Sequence, residues 1–263
     1  MNLIEKNTIL INDKIWKIIE SETSSESKIF IEVRNIEKKE MSIYSYHFES
    51  NTYSLVFEKL DWWLSIQYAN NSVVIFQYFD PEKMPYSSKI LAYSIQNQNI
   101  IWEIDNAFYV STFNNDKKYV LVNRTQFEIQ KTIIIDSENG NEIIDTMPLE
   151  NKLQEKIILY KEEDKYFTDL QSFISQTTNH TAIKLIEYCE WQCFILISYY
   201  ICRSENSFEN YLLIINEKGG LHLSETLGTS LKGVATGTFS VYNNYLYFVN
   251  TDNQIKILAI NDK

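Results

Sequence analysis

A chain of 263 residues with a formal net charge of −11 repels phosphate backbones and anionic lipid surfaces, which argues against nucleic-acid and membrane partners. Hydrophobic residues make up 44% of it and aromatics 14%, enough apolar surface to offset chain entropy and exclude disorder. The 18 Tyr and 14 Phe favour pleated strands over helices, and the length suits one all-β barrel or propeller.

The opening stretch Met1 to Lys6 lacks the apolar segment of a secretory signal. The longest apolar run, ten residues from Cys193 to Cys202, is too short to span a bilayer. A cytoplasmic location is expected. Cys189, Cys193 and Cys202 form no C-x-x-C pair and read as small core residues on strands, and with His47, His180 and His222 scattered no metal site is expected.

Short β-rich runs follow one another, divided by Asn, Asp, Ser and Gly turns. The first set is Ile15 to Glu20, Lys28 to Arg34, Met41 to Phe48 and Tyr53 to Glu58. The second is Trp63 to Tyr68, Val73 to Phe79, Lys89 to Ile95 and Ile100 to Ile104. First strands start near Ile15, Trp63 and Phe108, 48 and 45 residues apart, with further starts near Ile183 and Thr238. A period in the forties is that of four-stranded propeller blades, each of which needs neighbours to cover its two faces. Residues 108–145 read as strands ending in the turn Asp136 to Asn141. Between there and Ile183, Asp164 is expected to cap a helix over 164–176 whose Phe167, Leu170, Phe173 and Ile174 share one face. The last set has only three strands, Phe239 to Tyr242, Tyr245 to Val249 and Gln254 to Ile260, so the spare run Thr8 to Ile11 is expected to complete it. The expectation is one all-β domain over 1–263, a small β-propeller of five or six four-stranded antiparallel blades with one inserted helix.

Motifs for chemistry are few. No G-x-S-x-G elbow, phosphate-cradling glycine loop or WD dipeptide occurs. Asp136-x-Glu138-x-Gly140 puts its glycine one place early for a calcium loop and reads as a hairpin turn. The Lys-rich runs Glu37 to Glu40 and Asp116 to Lys118 read as solvated turns. The candidate binding residues are Glu32, Arg34, Trp62, Trp63, Tyr199 and Tyr200. Glu32 and Arg34 are two apart and face one side of a strand, either as a buried ion pair fixing blade packing or with Arg34 directed at a carboxylate or phosphate ligand. One of each adjacent aromatic pair, Trp62–Trp63 and Tyr199–Tyr200, must face away from its blade's own core, where it packs between blades or stacks on a ligand.

Ile15-Trp16, "IFIEVRN" (Ile29 to Asn35), Asp61-Trp62-Trp63 and "DPEKMPYSSKILAYSIQNQNIIWE" (Asp80 to Glu103) together resemble an uncharacterised bacterial family catalogued as a domain of unknown function. Its later marks are similar to Tyr160 to Ile174, Leu196 to Ile201, Asn210 to Leu221 and Leu231 to Phe239. Ser88 stands where the family pattern often has Gly. The resemblance implies propeller blades similar to quinoprotein-type repeats and brings no established activity. Trp102 in "IIWEID" lacks the glycines of a quinone-binding repeat and reads as a packing residue, so no cofactor is expected.

The leading reading is a non-enzymatic binding or scaffold propeller for an unknown protein or small molecule. The rival is an enzyme, a hydrolase or lyase acting at the central channel.

Overall fold

A computed structural model describes residues 2–21, 27–82, 89–113, 119–126, 129–143, 157–205 and 207–261. The strands are β1 (Asn2–Leu10), then β2 (Lys14–Glu20), β3 (Lys28–Asn35), β4 (Glu40–His47) and β5 (Thr52–Asp61). Next come β6 (Leu64–Ala69), β7 (Val73–Tyr78), β8 (Lys89–Ser94), β9 (Ile100–Asp105), β10 (Ala107–Phe113), β11 (Tyr119–Gln126), β12 (Ile129–Asp136) and β13 (Glu142–Ile143). β14 (Ile158–Lys161) and α1 (Phe167–Thr178) precede β15 (Ile183–Trp191), β16 (Phe194–Ser204), β17 (Ser207–Asn216) and β18 (Leu221–Leu231). β19 (Phe239–Tyr242), β20 (Tyr245–Val249) and β21 (Gln254–Asn261) end the chain.

These strands make five antiparallel meanders among the described residues: β2–β5, β6–β9, β10–β13, β14–β18 and β19–β20–β21–β1. The fold is a small all-β propeller of such blades, as the sequence period predicts, with one helix among the described residues. The helix-bearing sheet has five strands rather than four. Residues 12–152 form one compact unit, and residues 1–11 with 153–263 form another.

In the unit of residues 12–152, β3 and β7 are buried on both faces, which is why "IFIEV" and "VVIF" run apolar without alternation. Phe30, Met41, Ile43, Phe57, Leu64 and Phe76 join the β2–β5 and β6–β9 sheets in one core, and Tyr68, Ile75, Ala107 and Val120 carry a second core on to β10–β13. Trp102 packs under the turn after β12, its Nε1 donating to the Ser137 carbonyl at 3.0 Å, which places it as a packing residue. Asp136 to Asn141 is a hairpin turn, with Gly140 at φ 72° directly over the Trp102 ring.

In the other unit, β1 pairs antiparallel with β21, Thr8 opposite Lys256 and Leu10 opposite Gln254, so the N-terminal run completes the C-terminal sheet. The strand is longer than expected, starting at Asn2 and ending before Ile11. Helix α1 lies three residues later than its predicted start and buries Phe167 and Ile174 against Ile186, Ile197, Tyr199 and Leu213. Asp164 is not its cap: the N-cap is Tyr166, without a side-chain bond, and Asp164 accepts the Lys161 N–H at 2.6 Å. Cys189 is a core residue as expected. Cys193 instead sits in the β15–β16 turn, half-buried, and Cys202 is exposed near the end of β16.

Left-handed positions are taken without glycine by Asn51, Asn106, Asn243 and Asn253, with φ between 54° and 59°, and also by Lys39, Lys59, Gln98, Lys184, Gln192 and Ser230. Asn70, Asn216 and Asn250 add side-chain caps, each Oδ1 accepting two following backbone N–H groups. Among the described residues no helix is long and apolar enough to cross a membrane. Ser88 and Asp116 to Lys118 lie outside the described residues.

Candidate functional site

Alternation on β3 sends Glu32 and Arg34 to the same face, and there they form a buried ion pair, 0% and 7% exposed. Arg34 Nε and Nη2 both donate to Glu32 Oε1, at 2.8 and 2.6 Å. The remaining guanidinium contacts leave the sheet: Nη1 donates to the Trp62 carbonyl and Nη2 to the Leu64 carbonyl, each at 2.8 Å. Glu32 Oε2 completes the junction by accepting the Ile66 N–H at 2.8 Å and the Ser65 hydroxyl at 3.2 Å. The pair therefore stitches β3 to the entry of β6 in the next sheet. Such a pair is tolerable in the interior because both ions are satisfied by hydrogen bonds. With all three nitrogens engaged by protein oxygens, the guanidinium edge is committed to the fold.

Its flat faces are used differently. The Arg34 guanidinium carbon lies 4.6 Å from the Trp16 ring centroid and 5.0 Å from that of Trp62, and the two indoles stand 6.4 Å apart at 57°. Lys39 Nζ lies 4.8 Å from the Trp62 ring. Trp16 is 55% exposed. It is the extra residue of a bulge in β2, since Ile15 pairs with Val33 and Lys17 with Glu32. A bulge re-aims a side chain, and the same device recurs in the first strands of the next two sheets, at Gln67 and Val110. Only in β2 does that position carry a large aromatic. Trp63, half-buried, anchors the turn: its N–H is taken by Asp61 Oδ1 at 2.8 Å and its carbonyl accepts the Phe79 N–H at 2.9 Å.

Beneath the cluster, Lys17 donates to the Ile66 carbonyl at 2.7 Å and to Gln67 Oε1 at 3.1 Å. Burial pushes its ammonium below the usual lysine value, and the Glu32 carboxylate opposes that shift. The role of Glu32 recurs on β7. Gln77, 45 residues later, donates to the Lys89 and Ala107 carbonyls at 2.8 and 2.9 Å and accepts the Tyr109 N–H at 3.0 Å, fastening the entry of β10.

Tyr199 and Tyr200, on β16, belong to the other unit and are fixed separately. Tyr200 Oη donates to the Ala235 carbonyl at 3.0 Å and accepts the Ala235 N–H at 3.1 Å, holding the glycine-bearing loop before β19. Glu187 holds the other end of that loop through the N–H groups of Gly237 and Thr238 and the Thr238 hydroxyl. Tyr199 is buried, and its hydroxyl sits 2.8 Å from His180 Nδ1 while its ring stacks on Tyr211. Tyr211 donates to Glu209 at 2.6 Å, and Arg203 donates to Glu209 at 2.8 Å. Burial lowers the His180 imidazole below its ordinary value, Arg203 adding to the effect and Glu209 opposing it. Burial also pushes Tyr199 up to about 12. A neutral imidazole beside a tyrosine is an acid–base pair in kind.

Sequence reasoning found Glu32, Arg34 and Trp62 and missed Trp16, Lys39 and Lys17, which complete the cluster. Gln77 was detectable from its place in the repeat, one period after Glu32.

Among solved structures, the chain is similar to TolB from Acinetobacter baumannii (12% identity, TM-score 0.33), covering 95% of this chain and 55% of that one. It thus spans about half the length of that protein. It is also similar to BamB from Moraxella catarrhalis (10%, TM-score 0.35, 99% of each chain) and to the β-propeller domain of the Trilobed protease from Pyrococcus furiosus (14%, TM-score 0.31, 88% and 74%). Likeness at this level carries nothing about function. No curated protein matches the chain. The family model for a domain of unknown function, DUF4905, matches residues 23–102, the segment that holds Glu32, Arg34, Trp62, Trp63 and Trp102.

Proposed function

We propose that this chain is a non-enzymatic binding propeller whose recognition surface is Trp16, backed by Arg34 and flanked by Trp62 and Lys39, and that its ligand is a partner protein. One observation carries the reading: a 55%-exposed indole stacked on a guanidinium that is itself locked by a buried ion pair. Trp and Arg dominate the energetics of protein interfaces, and an aromatic already fixed in place loses little entropy when a partner covers it. Lys39 at the edge suits a partner segment with a carboxylate next to an apolar side chain.

The test is a photo-crosslinking amino acid placed at position 16 in cells, compared with the same group at Leu221, another exposed apolar position. The proposal expects a discrete protein adduct from position 16 that is absent from 221 and is weakened by Lys39→Glu. No adduct at 16, or identical adducts from both positions, would refute it.

The His180–Tyr199 pair favours a second reading, a hydrolase or lyase, because burial keeps the imidazole neutral. On that reading His180→Gln abolishes turnover of an identified substrate and leaves crosslinking at position 16 intact.

A further inference from the structure

A second site stands in the unit formed by residues 1–11 and 153–263. β18 and β1 are the outer strands of their sheets, and the apolar layer between the sheets reaches the surface there as a cavity of about 220 Å³. Its floor is Leu3, Leu223, Phe248 and Leu258. Its polar groups are His222 and Glu225 from β18 and Glu5 and Lys256 from β1 and β21.

Two bulges shape the lining. On β18, Leu221 pairs with Ile215 and Leu223 with Ile214, so His222 is the extra residue and comes to the cavity beside Leu223. On β1, Glu5 pairs with Leu258 and Asn7 with Ile257, so Lys6 is extra. Its ammonium is bonded to Tyr245 Oη at 3.0 Å, and Lys6 is not part of the lining.

The charges then decide what fits. Lys256 and Glu5 neutralise one another at 3.2 Å, and Glu5 also accepts the Thr8 hydroxyl at 2.6 Å. Among the described residues, Glu225 has neither an ion-pair nor a hydrogen-bond partner, and the His222 ring lies beside that of Phe194, 5.5 Å between centroids, with no hydrogen bond. The cavity is left with one carboxylate that no cation answers, an imidazole able to hydrogen-bond, and a hydrocarbon floor. Ligand sites in general combine an apolar lining with a few convergent polar groups, as this cavity does.

We infer that this cavity binds a small organic cation: a primary amine on a compact aromatic or branched apolar body, the ammonium at Glu225, the body on Leu223, Phe248 and Leu258. The inference is independent of the Trp16 surface. The probe is 2-phenylethylamine, with 3-phenylpropionate as its anionic counterpart, titrated into the full-length protein by calorimetry and by NMR of the His222 ring protons. The amine should bind saturably and shift the His222 signal along the same isotherm. Its affinity should fall at least fivefold in Glu225→Gln and in Glu225→Ala, each checked for an unchanged melting midpoint, and 3-phenylpropionate should not move His222. No saturable binding of the amine, a fall below fivefold in both variants, or an equal response to 3-phenylpropionate overturns it.

Discussion

Arg34→Met removes a cation and leaves its partner in place. Four hydrogen bonds go with it, two to Glu32 and one each to the Trp62 and Leu64 carbonyls, while the Glu32 carboxylate stays 0% exposed. Breaking a buried pair in this way costs about 3–5 kcal/mol, because the remaining charge loses its hydrogen-bonded partner and is left with the Lys17 ammonium alone to oppose it. Glu32 keeps the Ile66 N–H and the Ser65 hydroxyl, which sets the expectation at the lower end, about 3 kcal/mol. For a protein of this size that is a fall of about 6–12 °C in melting midpoint. Glu32→Gln added to Arg34→Met removes the stranded charge and preserves an acceptor for Ile66, so the double variant should recover to within about 1–2 kcal/mol of wild type. The assay is urea unfolding followed by far-ultraviolet circular dichroism, which does not depend on the indoles being perturbed, with an unchanged denaturant slope as the check on comparability. A loss of less than about 1 kcal/mol for Arg34→Met, the size expected of a surface pair, would refute the view that this junction holds the two sheets together.

Gln77→Leu should cost about 2–3 kcal/mol in the same assay, since it strands the Tyr109 N–H and the Lys89 and Ala107 carbonyls, and the Tyr109 amide should exchange its hydrogen faster. His180 has a folded pKa lowered from 6.5, so the unfolded chain binds the proton more readily and stability falls as pH drops below about 6.5, levelling once the folded ring is also protonated. His180→Gln should abolish that part of the pH dependence below about pH 6.5; melting midpoints that fall in parallel with pH for the two proteins would contradict it. Deleting residues 1–10 exposes the β21 edge, so the melting midpoint should fall and the protein should self-associate in sedimentation; no change in either would count against β1 as a closing strand.

The β character, the repeat and the completion of the last sheet by the N-terminal run were legible because they rest on period-two alternation and turn spacing. The Glu32–Arg34 pair was legible for the same reason, from residues two apart on a strand. Trp16 was not: a bulge is one extra residue in the pairing of β2 with β3, and nothing in the alternation of a single strand announces it. The partners of Arg34 in the turn before β6 were hidden because they are backbone carbonyls, which any sequence supplies. Asp164 looked like a helix cap by residue type and position, yet its carboxylate is bound to the Lys161 N–H, so the helix starts later. Cys202 looked like core because a free cysteine on a strand usually is, but β16 runs out to an exposed hairpin from that residue on.

The binding role of the Trp16 surface is tested most directly by hydroxyl-radical footprinting of the protein, purified and in the cell at its native abundance. The indole of Trp16 is 55% exposed, so it should oxidise readily in the purified protein. In the cell it should be protected several-fold, together with Trp62, while exposed Leu221 reacts equally in both. Equal oxidation of Trp16 in the two settings would contradict a recognition surface there.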